Sequence, residues 1–331
     1  MGVASHRGAG TLSAFGLLVL GLAIGCDAGS GWHPDASTVV LLTSWDTTRA
    51  DAIGAYGDPR ARTPNADALA ARGVRFEWAL TQAPSTLNAH TTLFTGLDPH
   101  RHAVVRNGYG LEGNPPLLAE RFAAAGWDTI AVIGGTVLDH TLGLARGFRI
   151  YDDVPTSERV YEHDAKRVTD RALAAISKRD KTKPLFLFVH YYDAHSPWNN
   201  APKALQREML GDYQGPVDGR QQTITLLTRA LESGQRLDPR DALAARQLYL
   251  AEVAWVDENV GRLLVALRDQ FTARLVALVA DHGEALDESI RVEQQTASLG
   301  QRYAGRLPRA QLREQADGRT VVDLAQSRGV A

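Results

Sequence analysis

Three short apolar runs in this sequence end in side chains able to bind a cation. Val39–Thr43 is followed by Ser44, Trp45 and Asp46. Leu185–Val189 leads to Asp193 and His195, and Leu275–Ala280 runs directly into Asp281, His282, Gly283 and Glu284. Carboxylates and an imidazole gathered at one edge suit a hard or borderline divalent cation. Singly each is a weak signal, because an Asp after a strand commonly caps a turn or a helix. The adjacent Asp281-His282 pair is stronger, since two polar groups there are costly unless something binds them. A further candidate is the hydroxyl pair in Pro84-Ser85-Thr86, which feeds a short helical stretch ended by Gly96. A hydroxyl at a helix start serves either as an N-cap or as a nucleophile beside backbone N–H groups that favour an anion.

The elements that must position these groups alternate. Apolar, β-rich runs predict buried strands at 39–43, 74–76, 129–133, 185–189 and 275–280. Thr63-Pro64 opens a helix that Gly73 stops, and Asn114-Pro115-Pro116 opens another through Ala125. A helix is expected over His163–Lys178. Tyr249, Val253, Val256, Val260, Leu263 and Leu267 recur at steps of four and three, which marks a long amphipathic helix. Strand and helix in turn predict an α/β fold with a mostly parallel sheet, whose chemistry sits at the carboxyl ends of the strands. The stretch from Ala201 to Arg240 has no clear period and reads as an insertion or long loop.

Composition narrows the function classes. The 331 residues are 44% apolar and 22% charged, which is ordinary globular usage. A net charge of −2 gives no basic field for holding nucleic acid. The single cysteine, Cys26, excludes intramolecular disulfides and cysteine-based zinc sites. It ends an apolar run from Thr11 to Gly25 that follows His6 and Arg7. That run is shorter than the ~20 residues of a spanning helix and fits a signal-peptide core. Small residues before Cys26 form a bacterial lipoprotein cleavage site, with an uncleaved N-terminal anchor as the alternative. Either reading exports the rest of the chain, and lipidation at Cys26 anchors it in the cell envelope, in the periplasm or on the outer surface. Residues 27–37 then form a tether.

From Thr38 to Glu288 the sequence resembles the sulfatase branch of the alkaline phosphatase superfamily. The segments that carry the likeness are VVLLTSWDTTRADAIGAYG, TPNADALAARGVRFEWALTQAPSTLNAHTTLFTGLDPHRH, PLFLFVHYYDAHSPW, YLAEVAWVDENVGRLLVAL and LVALVADHGEALDE, in that order. The resemblance implies a three-layer sandwich around a mostly parallel sheet, with catalytic domain 38–288. It implies that Asp46, Asp281, His282 and Thr86 hold one divalent metal ion, with Ca, Mg, Mn and Zn left open. It places Thr86 as the nucleophile, His90 and His195 as catalytic donors to ester or leaving-group oxygens, and Asn107 as a substrate contact. The implied activity is metal-dependent hydrolysis of sulfate or phosphate esters. Substrates would be small molecules, glycans or lipid headgroups.

The sequence departs from the family at three points. Sulfatases oxidise a Cys or Ser within Cys/Ser-x-Pro-x-Arg to formylglycine, whereas Thr86-Leu87-Asn88-Ala89-His90 has no residue that yields it, so no formylglycine is expected. A threonine nucleophile suits phosphate esters better than sulfate esters. No histidine follows His282, which favours one metal over two. Residues 289–331 show no strong apolar strand and read as a divergent tail, with the family's C-terminal subdomain missing through truncation or a frameshift. An unpaired sheet edge is the expected result. Two alternatives therefore stand beside the hydrolase: an inactive binding protein with this fold, and a phosphoryl transferase acting on membrane headgroups.

Overall fold

The computed structural model describes residues 33–155, 158, 160–234, 237–284, 286 and 322–324. The leader, the Cys26 lipidation site and nearly all of the 289–331 tail lie outside the described residues. The apolar runs form β1 (Thr38–Trp45), β2 (Val74–Arg75), β3 (Asp128–Ile133), β4 (Ile150–Asp152), β5 (Leu185–Tyr191), β6 (Ala273–Val279) and β7 (Val322–Leu324). They build one seven-stranded sheet in the order β2-β7-β6-β1-β5-β3-β4. Every ladder is parallel. β1 lies between β5 and β6, with Val39 opposite Leu185 and Arg274.

The main helices are α1 (Pro64–Arg72), α2 (Thr86–Thr95), α3 (Leu118–Ala124), α4 (Ala165–Ser177), α5 (Lys203–Leu210), α6 (Gln221–Ser233) and α7 (Pro239–Gln270). Successive strand side chains point to opposite faces, so the sheet builds two cores. Val39, Leu41, Leu185 and Leu187 face one core with residues of α1, α4 and α7. Val40, Leu42, Phe186 and Phe188 face the other with Leu87, Phe94 and Phe122 from α2 and α3. Burial on both faces explains why these strands read as continuous apolar runs.

Local signals set most boundaries. Gly96 ends α2 in the left-handed region at φ 68°, and its N–H donates to the Thr92 carbonyl. Asp164 caps α4 by accepting from Arg167 N–H at 2.8 Å. α3 begins at Leu118, later than Pro115-Pro116 suggests, and Glu120 Oε2 accepts the Leu117 N–H at its start. The residue before a proline is pushed away from helical backbone.

Two expectations are corrected. The 201–240 stretch holds α5 and α6 rather than a long loop. Gly211, Gly215-Pro216 and Gly219 interrupt the stretch between the two helices, so no single period runs through it. The 289–331 tail supplies β7, which inserts between β6 and β2. Three residues joined through backbone hydrogen bonds need no long apolar run to form a ladder.

One buried carboxylate ties the start of α1 to α7. Asp257 Oδ1 accepts from Ala66 N–H at 2.8 Å, and Oδ2 accepts from Asn65 N–H and Nδ2–H at 3.1 and 2.9 Å. Burial outweighs these donors and pushes the Asp257 pKa up to about 6. A raised carboxyl stabilises the fold most below its unfolded value near 4, and that contribution is lost as pH rises to about 6. Relative to Asp257→Asn, wild type therefore loses about 2 kcal/mol between pH 4 and 6.5. Urea denaturation at stepped pH reads the difference, and parallel curves for the two proteins count against it.

Candidate metal and ester-binding site

Asp46 lies one residue past β1, and Asp281-His282 lie just past the adjacent β6. One ligand atom from each of Asp46, Asp281 and His282 falls within 4.8 Å of the others. Thr86, the first residue of α2, places Oγ1 3.4 Å from His282 Nε2. Its hydroxyl also acts on the Asp46 carboxylate, favouring the charged form. Four residues spread over most of the chain thus meet at one point of the sheet's carboxyl edge.

The ligand atoms are oriented by their neighbours. Asp281 Oδ1 accepts from the N–H groups of Thr47 and His282 at 3.1 and 2.8 Å. His282 donates Nδ1–H to the Gly283 carbonyl at 2.9 Å, so its lone pair sits on Nε2, toward Thr86 and Asp281. Asp46 Oδ2 accepts from His190 Nε2–H at 3.1 Å. Asp46 Oδ1 is buried and has no hydrogen-bond partner among the described residues. Two carboxylates, an imidazole lone pair and a hydroxyl brought this close are the donor set of a divalent cation.

The loop after β1 is strained and clasped. Thr47 adopts φ 51°, a left-handed conformation that β-branched residues rarely enter. The Tyr249 hydroxyl on α7 donates to the Thr47 carbonyl at 2.9 Å and accepts from Arg49 N–H at 2.8 Å. On the other side Gly134 lets β3 approach β5, since a Cβ there would stand 2.7 Å from the His190 carbonyl oxygen.

Burial and charge act against each other here. Burial raises Asp46, which His282 and His195 partly offset. Burial also raises Asp281, and the Asp46 charge adds to it. For His282 burial acts downward, but the carboxylates of Asp281 and Asp46 outweigh it and hold the ring above its usual value. The result is a pocket of repelling negative charge, favourable once a cation enters.

The other expected site residues divide. His195 lies beside the cluster, close enough for charge interaction with Asp46. Its Nδ1–H donates to the Ser196 carbonyl at 2.7 Å, and its ring stacks on Tyr192 at 4.6 Å. Asn107 is exposed, and its Oδ1 accepts from Leu87 N–H at 2.9 Å, which fixes the first turn of α2 behind Thr86. His90 requires a correction. It is fully buried, with Nδ1–H donating to the Thr86 carbonyl at 2.8 Å and Nε2 accepting from Ser44 Oγ–H at 2.9 Å. Burial holds it down to about 4, so it is neutral, and neither nitrogen is available to an ester oxygen. His90 falls one helical turn after Thr86, on the face that α2 turns toward the sheet. Asp193 is also apart from the cation position, since its Oδ1 accepts from Ala165 N–H at 2.7 Å at the start of α4.

Sequence reasoning missed His190. The apolar run was read as ending at Val189, whereas β5 continues through Tyr191. The sheet register pairs this histidine with Ser44, two residues before Asp46 on the neighbouring strand. Glu162 was missed too. Burial raises its pKa, its Oε1 accepts from Asn200 Nδ2–H at 2.7 Å, and it feels both His195 and Asp46. Nothing in its local sequence marks it.

The sheet order, the layers and the site's place on the carboxyl edge define an alkaline-phosphatase-like α/β fold. A phosphonate monoester hydrolase of Agrobacterium radiobacter superposes with a TM-score of 0.57 at 23% identity, over 76% of this chain and 63% of that one. The sequence profile described as Sulfatase matches residues 37–317, and the chain belongs to that family. An arylsulfatase of Clostridium perfringens (strain 13 / Type A) is 22% identical over 312 residues, covering 75% of this chain and 63% of that protein. Human iduronate 2-sulfatase is 26% identical over 339 residues, covering 82% of this chain and 60% of that protein. The chain thus spans less than two thirds of the length of either relative.

Proposed function

We propose that this chain is a metal-dependent hydrolase of sulfate or phosphate esters, exported and held to the envelope by a lipid on Cys26. The observation that carries the reading is the Thr86 hydroxyl standing at the meeting point of Asp46, Asp281 and His282. These four residues would hold one divalent cation. Bound there, it would supply Lewis-acid stabilisation of the ester oxygens and ease ionisation of the hydroxyl. An imidazole and a hydroxyl beside two carboxylates suit a borderline ion such as Zn²⁺ or Mn²⁺ more than Ca²⁺.

The protein's own groups supply the remaining steps. Thr86 sits at the start of a ten-residue helix, where the dipole favours an anionic ester. In-line attack by Oγ1 forms a Thr86 ester and expels an alcohol. His195 donates Nδ1–H to Ser196, and as the doubly protonated imidazolium it gives its Nε2 proton to the leaving oxygen, which departs as the alcohol. Water then opens the Thr86 ester. An acceptor alcohol in place of water makes the same site a transferase, the reading a lipid headgroup substrate favours. Threonine cannot form the aldehyde that sulfate-ester hydrolysis uses in this family, so phosphate esters are the preferred class.

The test is turnover of p-nitrophenyl phosphate, bis(p-nitrophenyl) phosphate and p-nitrophenyl sulfate. The protein is stripped with EDTA and reloaded with Zn²⁺, Mn²⁺, Mg²⁺ or Ca²⁺. Turnover restored by one ion, faster on a phosphate than on the sulfate, is the expected result. No turnover under any condition favours the binding-protein reading. Radiolabelled palmitate on wild type but not on Cys26→Ala checks the anchor.

A further inference from the structure

Beneath the proposed cation position two imidazoles lie edge to face, with His90 and His190 ring centroids 5.0 Å apart. Both are fully buried. His90 Nδ1 stands 3.7 Å from Asp281 Oδ2, but its hydrogen bonds go elsewhere. His90 is spent on backbone and Ser44, as described. His190 meets the site, with Nε2 3.1 Å from Asp46 Oδ2. Its Nδ1 is buried without a hydrogen-bond partner among the described residues. A ring with one nitrogen on a carboxylate and the other buried without a hydrogen-bond partner is most stable with its proton on the carboxylate side.

We infer that His190 is a positioning residue for the cation. Its Nε2–H holds Asp46 Oδ2 and leaves Oδ1 as the single oxygen that Asp46 offers a metal. The inference rests on the reading of Asp46 as a metal ligand and extends it to a residue outside the ligand set. Three observations support it. The bond joins β5 to the residue just past β1, so the rigid ladder from Ser44–His190 to Trp45–Tyr191 fixes its length. The Asp46 N–H donates to the Tyr191 carbonyl at 2.8 Å, which pins the backbone of the same residue. The two oxygens of Asp46 are unlike, one taken by His190 and one buried with no hydrogen bond within normal geometry among the described residues. A carboxylate held this way cannot swing to bind through both oxygens. Outer partners of this kind typically change metal affinity by ~10–100-fold.

The experiment compares wild type, His190→Phe and His190→Gln as the full chain. Phe keeps the ring volume against His90 and removes the N–H, whereas Gln keeps a donor at similar reach. Zn²⁺ and Mn²⁺ affinities are measured by isothermal titration calorimetry, with near-UV circular dichroism as the check on packing. His190→Phe is expected to bind ~10–100-fold more weakly. His190→Gln is expected to recover most of that loss. Nitrogen-15 spectra of the wild-type imidazoles give a reading that does not depend on the variants folding. They should show His190 as the Nε2–H tautomer before and after metal addition. Wild-type affinity in His190→Phe, or an Nδ1–H tautomer, overturns the inference while leaving the metal site standing. Absence of metal binding by wild type overturns both.

Discussion

Thr86→Ala should lower kcat/KM on the preferred p-nitrophenyl ester by at least ~10³-fold with little change in fold. The hydroxyl is the one alcohol oxygen among the four convergent residues, and the proposed mechanism uses it as the nucleophile. Removing it takes away the atom that must bond to phosphorus or sulfur. The helix behind it is unharmed, because Ala is a good helix former and Asn107 still accepts the Leu87 N–H. Metal binding should persist through Asp46, Asp281 and His282. Thr86→Ser keeps an oxygen there and should retain measurable turnover. Steady-state kinetics on EDTA-stripped, metal-reloaded protein reads the effect. Equal rates for wild type and Thr86→Ala would remove the nucleophile from the mechanism.

The second large effect has opposite signs with and without metal. In Asp281→Asn the carbonyl still accepts from Thr47 and His282, so the loop keeps its hydrogen bonds. The new amide removes the repulsion that Asp46 and Asp281 exert on one another in a buried place. The metal-free variant should therefore be more stable than metal-free wild type, by about 1–2 kcal/mol. The cost falls on binding, where one of two anionic ligands is lost and affinity should drop at least ~100-fold. Wild type at a hundredfold excess of metal over Kd gains about 2.7 kcal/mol, and the variant gains almost none. Differential scanning fluorimetry with and without Zn²⁺ reads both signs. A variant that melts lower in both states would place Asp281 in the scaffold rather than the site.

Much of this arrangement was legible because its causes are local. β1, β5 and β6 are buried on both faces, so each shows as an apolar run, and the polar residue that breaks the run marks the carboxyl edge. Pro64, Gly73 and Gly96 announce helix ends through backbone restrictions that hold in any context. Asp46, Thr86, Asp281 and His282 could be named because each sits at such a boundary. What was hidden depends on distant neighbours. His90 resembles a site residue by its place after Thr86, and only the packing of α2 on the sheet shows both its nitrogens are consumed. His190 lies inside a strand, where an apolar pattern predicts bulk rather than a proton donor. β7 is a ladder of three residues that forms only because β6 and β2 flank it.

The central place of β1 has a consequence for how the molecule comes into being. The strand is made well before its two partners, which begin only at Leu185 and Ala273. A ribosome working at typical speed needs tens of seconds to deliver them. During that interval a water-averse ribbon with unpaired edges has no native strand to pair with, although residues of α1 and α2 are already at hand for its faces. Chaperone capture is the safeguard such a half-born chain calls for, since its central strand must wait for both of the strands that flank it.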